Sequence, residues 1–429
     1  MKLFVDLSPF KYSGAFARLW IGNAVAGIGT QMTLVAVALH IFELTQSTLA
    51  VSMVALFSLV PMIIAGLFGG MLADVHDRRK VALAAAIVAW VSTAGIAAIA
   101  WGNVDLLWPL YLLTTVNAVA GTIMSAARSA IMPRLLPADL LPAAAALNGI
   151  SMGVMVTVGP AVAGVLVATV GLSWTYTVDV LLFSVAFLGI FTLPPILPEG
   201  EAERPGLRSL REGWDFLKQS PNVRMTFILD IVAMTFGNPR VLYPAVGALL
   251  LGGGAVTVGI LTAALAAGAL LSSLLSGPLG GVRWQGRAIG RAITVYGVCI
   301  AGFGVVLLTL HLGWWGEVGE GLPVHIGAVV ASCVFLAGAG AADNVSSVFR
   351  TTILQTAVPD AMRGRLQGLF IVVVTGGPRV GDLYVGLLAA TALLWFPPLL
   401  GGVLIVVIVT AAVRRTRSFA EYDALAPTP

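Results

Sequence analysis

The sequence predicts an all-α membrane protein with twelve transmembrane helices arranged as two six-helix bundles. Three observations carry that prediction. Hydrophobic residues make up 58% of the chain and charged ones 10%, with a mean hydropathy of +0.97; soluble domains carry about 25% charged residues. Apolar stretches of spanning length, about 20 residues, recur from one end of the chain to the other. The cations fall almost entirely in alternate loops.

In chain order, the expected spans are residues 19–42, 49–72, 81–101, 107–131, 140–170 and 174–193, then 223–250, 256–279, 288–310, 324–348, 366–389 and 393–413. This divides the chain into an N-terminal bundle (1–194), a linker (195–222), a C-terminal bundle (223–413) and a tail (414–429). The first 18 residues are not read as a cleavable signal, because the following apolar run is of spanning length and ends in no small-residue cleavage pattern. Within the linker, Leu207, Leu210, Trp214 and Leu217 recur at helical spacing among charged residues. They predict an amphipathic helix on the inner leaflet, with a partner-binding helix as the alternative.

Orientation follows from the loops. Those at 43–48, 102–106, 171–173, 251–255, 311–323 and 390–392 contain no Lys or Arg. The opposite set carries Arg78, Arg79 and Lys80, Arg128 and Arg134, five cations in and beside the linker, and three in the tail. By the positive-inside rule both termini are cytoplasmic. The net charge of +4 therefore reflects orientation, and no nucleic-acid partner is expected.

An internal repeat supports six plus six. Arg128 lies nine residues before Pro137, and Arg350 nine residues before Pro359. Each ends an expected span and precedes a proline-acid turn, with Asp139 and Asp360 as the acids.

The most charged short run of the first half is Gly69-Gly70-Met71-Leu72-Ala73-Asp74-Val75-His76-Asp77-Arg78-Arg79-Lys80. It joins two apolar segments and must form a tight hairpin tip. It resembles the loop between helices 2 and 3 of the major facilitator superfamily, G-x-L-A-D-R-x-G-R-R. Gly70, Leu72, Ala73, Asp74, Arg78 and Arg79 match. Val75 replaces a basic residue, and Asp77 a glycine. The resemblance implies a conformational lock in Gly70, Asp74, Arg78 and Arg79; an ordinary topology-setting loop is the alternative. It also implies two parallel repeats and a monomer.

Further stretches narrow the likeness. Gly159, Pro160 and Gly164 resemble the exporter motif of helix 5, with Ala163 in place of one glycine. The helix-4 arginine of proton-coupled members is not matched, since Asn117 stands there before Gly121. Phe16-Ala17-Arg18-Leu19-Trp20, Arg240-Val241-Leu242-Tyr243-Pro244 and Val358-Pro359-Asp360-Ala361-Met362-Arg363 are similar to the enterobactin-exporter branch of bacterial members. The branch implies secondary active export of a siderophore or other amphipathic small molecule across the cytoplasmic membrane, with proton antiport. A proton-coupled nutrient symporter is the alternative.

Other chemistries find no residues. There is no phosphate-binding Gly-rich loop ending in Lys-Ser or Lys-Thr. The four histidines are scattered, and Cys299 and Cys333 lie inside apolar segments. No metal site, cofactor or enzyme constellation is expected. The expected partners are a small-molecule cargo, protons and the lipid bilayer.

Charges inside the membrane are costly and usually face a cavity or a partner. Asp230, Arg240, Asp343, Arg379 and Asp382 fall within expected spans and are assigned to substrate or proton coupling. For Asp343, pairing with Arg350 as a structural anchor stays open, as does a purely structural Arg379–Asp382 pair. In the first half the expected cavity residues are polar: Gln31, Thr33, Asn117 and Asn148. Asp179 is read as a cap or interface charge near the outer end.

Overall fold

The computed structural model describes residues 6–197, 207–317, 319, 323–391 and 393–429. Among these the chain is helical, with no β-ladder beyond one isolated bridge. The helices are α1 (Ser8–Tyr12), α2 (Gly14–Thr45), α3 (Thr48–Val75), α4 (Arg78–Trp101), α5 (Leu107–Leu135), α6 (Leu141–Phe191), α7 (Leu207–Gln219) and α8 (Pro221–Phe236). They continue with α9 (Tyr243–Leu249), α10 (Gly254–Leu274), α11 (Gln285–His311), α12 (Ile326–Thr356), α13 (Asp360–Ala389), α14 (Phe396–Arg415) and α15 (Arg417–Ala420). Among the described residues, nine helices are long and apolar enough to cross a membrane. The expected pair 140–170 and 174–193 counts there as one, and the spans 223–250 and 366–389 are not among the nine.

Two of these differences have local causes. α6 runs through the expected loop at 171–173 and contains two helical arms meeting at Gly171, whose φ of 84° breaks the helical path. Only glycine adopts such a conformation without strain, so the direction changes without a loop. Span 223–250 is discontinuous. α8 stops at Gly237, a short 3₁₀ turn covers Arg240–Leu242, and α9 resumes at Tyr243. Pro239 lacks an N–H and disfavours helix at Asn238. The Tyr296 hydroxyl of α11 donates to the freed Gly237 carbonyl at 2.5 Å, as backbone at membrane depth requires.

The chain forms two compact units: residues 1–44 with 57–204, and residues 45–56 with 205–429. In the first, Ala82, Ala85, Ala86 and Ala89 of α4 meet Ala120, Met124 and Ala127 of α5, with Phe183 and Ala186 from the second arm of α6. Small side chains let these helices approach closely where no hydrophobic drive operates between them. Trp101 and Trp174 meet edge to face at 5.2 Å. Amphipathic rings of this kind suit a membrane–water boundary.

In the second unit the core runs from Leu217 and Val223 through Phe349, Ile353, Ile405 and Val409 to Phe419 and Tyr422. The short α7 packs on α8 and α13. Its Leu217 enters the core while Trp214 stays exposed, so the two expected face residues separate. Leu207 and Leu210 lie outside the described side chains.

Candidate functional site

Each unit holds charged or polar side chains in an apolar surround, and they are arranged differently. In the first unit a cavity of about 220 Å³ is lined by Phe16, Trp20, Asn23, Ser125, Arg128 and Asn148, among others. The N-terminal turns of α2 supply the aromatic rings, α5 the arginine and serines, and the first arm of α6 the asparagine. Arg128 donates from Nη1 to Asn23 Oδ1. Its Nε and Nη2 atoms are buried without a hydrogen bond, as is the Trp20 indole N–H. Asn148 donates only to the Met132 thioether, at 2.9 Å, a weak acceptor.

The second unit gathers charge on one arginine. Arg350 of α12 lies 2.6 Å from Asp230 Oδ1 on α8 and 3.4 Å from Asp343 Oδ1, two turns away on the same face of its own helix. Side-chain exposure is 7% for Arg350 and 6% for Asp230. Two carboxylates thus share one cation, Asp230 in a dry setting and Asp343 with its side chain 32% exposed, which leaves one negative charge in excess. At the discontinuity, Asn238 Nδ2 donates to Asp382 Oδ1 at 3.0 Å. Arg379 Nη1 stands 3.9 Å from Asp382 Oδ2. Arg240, which the sequence places inside a span, sits exposed on the 3₁₀ turn.

A family model described as transmembrane secretion effector matches residues 5–428. The chain belongs to that family. It is 27% identical over 386 residues to the Enterobactin exporter EntS of Citrobacter koseri, spanning 90% of this chain and 88% of that protein. It is 29% identical over 388 residues to EntS of Shigella boydii, with the same coverage. Among solved structures, the nucleoside transporter NupG superposes with a TM-score of 0.69 at 14% identity, covering 93% of this chain and 98% of that one. A POT family transporter in complex with 5-aminolevulinic acid gives 0.71 at 11%, covering 95% and 97%. At these identities the likeness is one of fold, and that fold is the major facilitator architecture expected from the sequence. The protein is a multi-pass membrane transporter and not an enzyme.

The other sequence-assigned residues of the transporter fall as follows. Gly70 and the Asp74 side chain lie outside the described residues. Arg78 donates from Nη1 to the Ala130 carbonyl at 2.9 Å, and Arg79 from Nη2 to the Phe191 carbonyl at 2.7 Å. Both cations thus sit on carbonyls near helix C-termini, where the helix dipole favours them. Thr33 is buried and donates to Asp179 Oδ2 at 2.5 Å. Asn117 ties α5 to α4 by donating to the Ala89 carbonyl at 3.1 Å and to Thr93 Oγ1 at 2.9 Å. Gln31 lies against Gly159, where an added Cβ would come within 2.6 Å of the Gln31 Cβ. Pro160 and Gly164 are buried in the same arm of α6. Of the four polar residues expected at a cavity, Asn148 lines this one.

Three positions escaped the sequence reading. Asp77 is 9% exposed and caps α4, accepting from Arg79 N at 3.0 Å and from Ile196 N at 3.1 Å. An acid immediately before the first helical cation is a cap signal, which the comparison with glycine obscured. Asp179 is 1% exposed, against its reading as an interface charge. It packs on Gly29, where a Cβ would collide with its carboxylate. Arg128 read as a topology charge, and nothing in the sequence separates a half-buried arginine with two enclosed nitrogens from one at a membrane edge.

Proposed function

We propose that the protein exports a siderophore or other amphipathic small molecule from the cytoplasm by alternating access, in exchange for protons, as a monomer with both termini inside. The relatives named as enterobactin exporters support this cargo class and favour export over nutrient uptake. The coupling reading rests on one observation: Asp230 and Asp343 share Arg350. Burial raises the cost of the surplus negative charge, so one proton on the pair neutralises the site. Asp230 stands on α8 while Asp343 and Arg350 stand on α12, so the group responds to whatever moves either helix. Asp382, held by Asn238 beside Arg379, is the second proton site. Asp74 is the lock that holds one conformation, and the Gly159–Gly164 arm is its close-packed hinge.

The test uses everted membrane vesicles with an imposed pH gradient and enterobactin as cargo. Wild type accumulates cargo only with the gradient. Asp230→Asn and Asp343→Asn should lose gradient-driven uptake while retaining cargo binding. Uptake that stays gradient-dependent in both variants overturns the coupling assignment, and wild-type vesicles that accumulate no cargo overturn export. Orientation is checked separately in a background lacking Cys299 and Cys333. Cysteine in place of Gly206 should resist an impermeant maleimide in intact cells. Cysteine in place of Trp314, which is 76% exposed, should react.

A further inference from the structure

We infer that the cavity at Arg128 is an anion-recognition site for a carboxylate- or phenolate-bearing aromatic group of the cargo. The inference rests on the transporter reading above and names the chemistry that its first unit recognises.

The argument begins with hydrogen-bond donors. Arg128 has five N–H donors and no acceptor, yet Asn23 takes one bond and the Nε and Nη2 atoms take none. Those two nitrogens form one edge of the guanidinium. Arg283 uses the same edge to grip Asp423, with Nε at 2.9 Å and Nη2 at 2.6 Å from Oδ2. Arg128 has that edge free and no carboxylate on it among the described residues. A buried cation without a counterion is costly, and a buried donor without an acceptor adds to that cost. Trp20, whose indole N–H is also buried and unpartnered, lines the same cavity. Asn148 spends its amide on a thioether. Arg128 and Trp20 have only donors to offer, so the missing partner is an acceptor, and the cation calls for one carrying negative charge.

The walls add the aromatic preference. Phe10 meets Phe16 at a tilt of 37° with centroids 5.7 Å apart and Trp20 edge to face at 5.1 Å, holding both lining rings in place. At about 220 Å³ the cavity is smaller than most whole-ligand pockets, which run about 300–1,000 Å³. It therefore takes one ring-sized arm rather than an entire siderophore. Gly121 borders the space, and a Cβ built there meets nothing within 4 Å. A larger residue at that position would fill the cavity without displacing its walls.

The test uses purified full-length protein in lipid nanodiscs, with benzoate as the probe and benzamide as its neutral counterpart. Titration calorimetry should show benzoate bound about tenfold or more tightly than benzamide, the scale of a charge-assisted hydrogen bond. Arg128→Gln should abolish that preference, and Arg128→Lys should keep part of it. Gly121→Phe should lose both probes while its elution profile and thermal transition stay those of wild type. Equal affinity of wild type for the two probes overturns the inference even if Arg128→Gln fails to fold. So does a benzoate preference that survives in Arg128→Gln or Gly121→Phe. The cargo reading fails independently: cells that export no siderophore while the nanodisc protein still prefers benzoate would leave this site standing and remove the assigned cargo.

Discussion

Arg128 and Arg350 occupy the same place in the internal repeat, and their surroundings are opposite. Each is nine residues before a proline, in the last turns of its helix. At 1.5 Å per residue, each lies about 10 Å from the end of that helix. Arg350 holds two carboxylates, and Arg128 holds an asparagine and has an open edge. One site carries surplus negative charge and the other surplus positive charge. Repetition has preserved the cation, and the neighbouring helices have decided what it does. Under the coupling proposed above, Asp230 on α8 adds the carboxylate that would take a proton at the second site. At the first, α2 supplies the neutral Asn23 instead, the setting for the proposed anion site.

The largest effect should come from removing the cation between the two acids. Arg350→Gln leaves the buried Asp230 without its cation and beside Asp343, and breaking a buried pair costs about 3–5 kcal/mol. Thermal unfolding in detergent should register that loss. Adding Asp230→Asn should recover much of it, because the surplus carboxylate goes with the cation. Arg128→Gln removes no carboxylate's partner and should leave the unfolding transition close to wild type. Comparable destabilisation by both single variants would break the contrast between the two arginines.

The lock loop gives the next effect and sharpens the contrast within the first unit. Asp74→Asn should keep expression and cargo binding and slow turnover severely in the vesicle assay. Asp77→Ala should do the reverse. It removes a helix cap and the bond from Ile196 N, for about 1–2 kcal/mol of stability, with turnover in the surviving protein retained. Wild-type turnover in Asp74→Asn would return this loop to a role in topology alone.

Much of the architecture was legible because lipid imposes simple rules. Span length and loop charge are one-dimensional signals, and they carried the all-helical membrane architecture, in which nine described helices are long and apolar enough to span. The site was less legible because it depends on which helix faces a given charge. Asp343 and Arg350 share a helix, so their pairing could be weighed from spacing. Asp230 is over a hundred residues away, and only packing brings it onto the same cation. The break in the seventh span was written in Gly237 and Pro239, but its apolar flanks read as continuous. Asp179 looked terminal because the sequence does not show that Thr33 and Gly29 enclose it. Composition likewise gives no hint that the tail folds back, where Phe419 is 0% and Tyr422 2% exposed.

That tail supplies the smallest effect and a third arginine for the comparison. Arg283 binds Asp423 through the edge that Arg128 leaves free, but at the solvated surface rather than in a cavity. The Trp284–Asp423 bridge and the Asn222 bond to the Thr428 carbonyl at 3.2 Å hold the same segment down. Arg283 keeps the Asp423 carboxyl below its ordinary value, chiefly through their hydrogen bonds. A carboxylate depressed in the folded state contributes stability above its unfolded value, about 3.9, and loses it as pH falls through the folded one. At neutral pH the contribution is therefore fully present. The pair is solvated and screened by salt, so Asp423→Asn should loosen the tail slightly and leave the core intact. An environment-sensitive dye on a cysteine at Pro429, in a background lacking Cys299 and Cys333, reads this directly. The wild-type signal should stay flat from pH 8 to about 5 and shift toward solvent below about pH 4. Asp423→Asn should show the shifted signal at every pH. A wild-type curve unchanged down to pH 3 would mean that the buried rings Phe419 and Tyr422, not the ion pair, hold the tail.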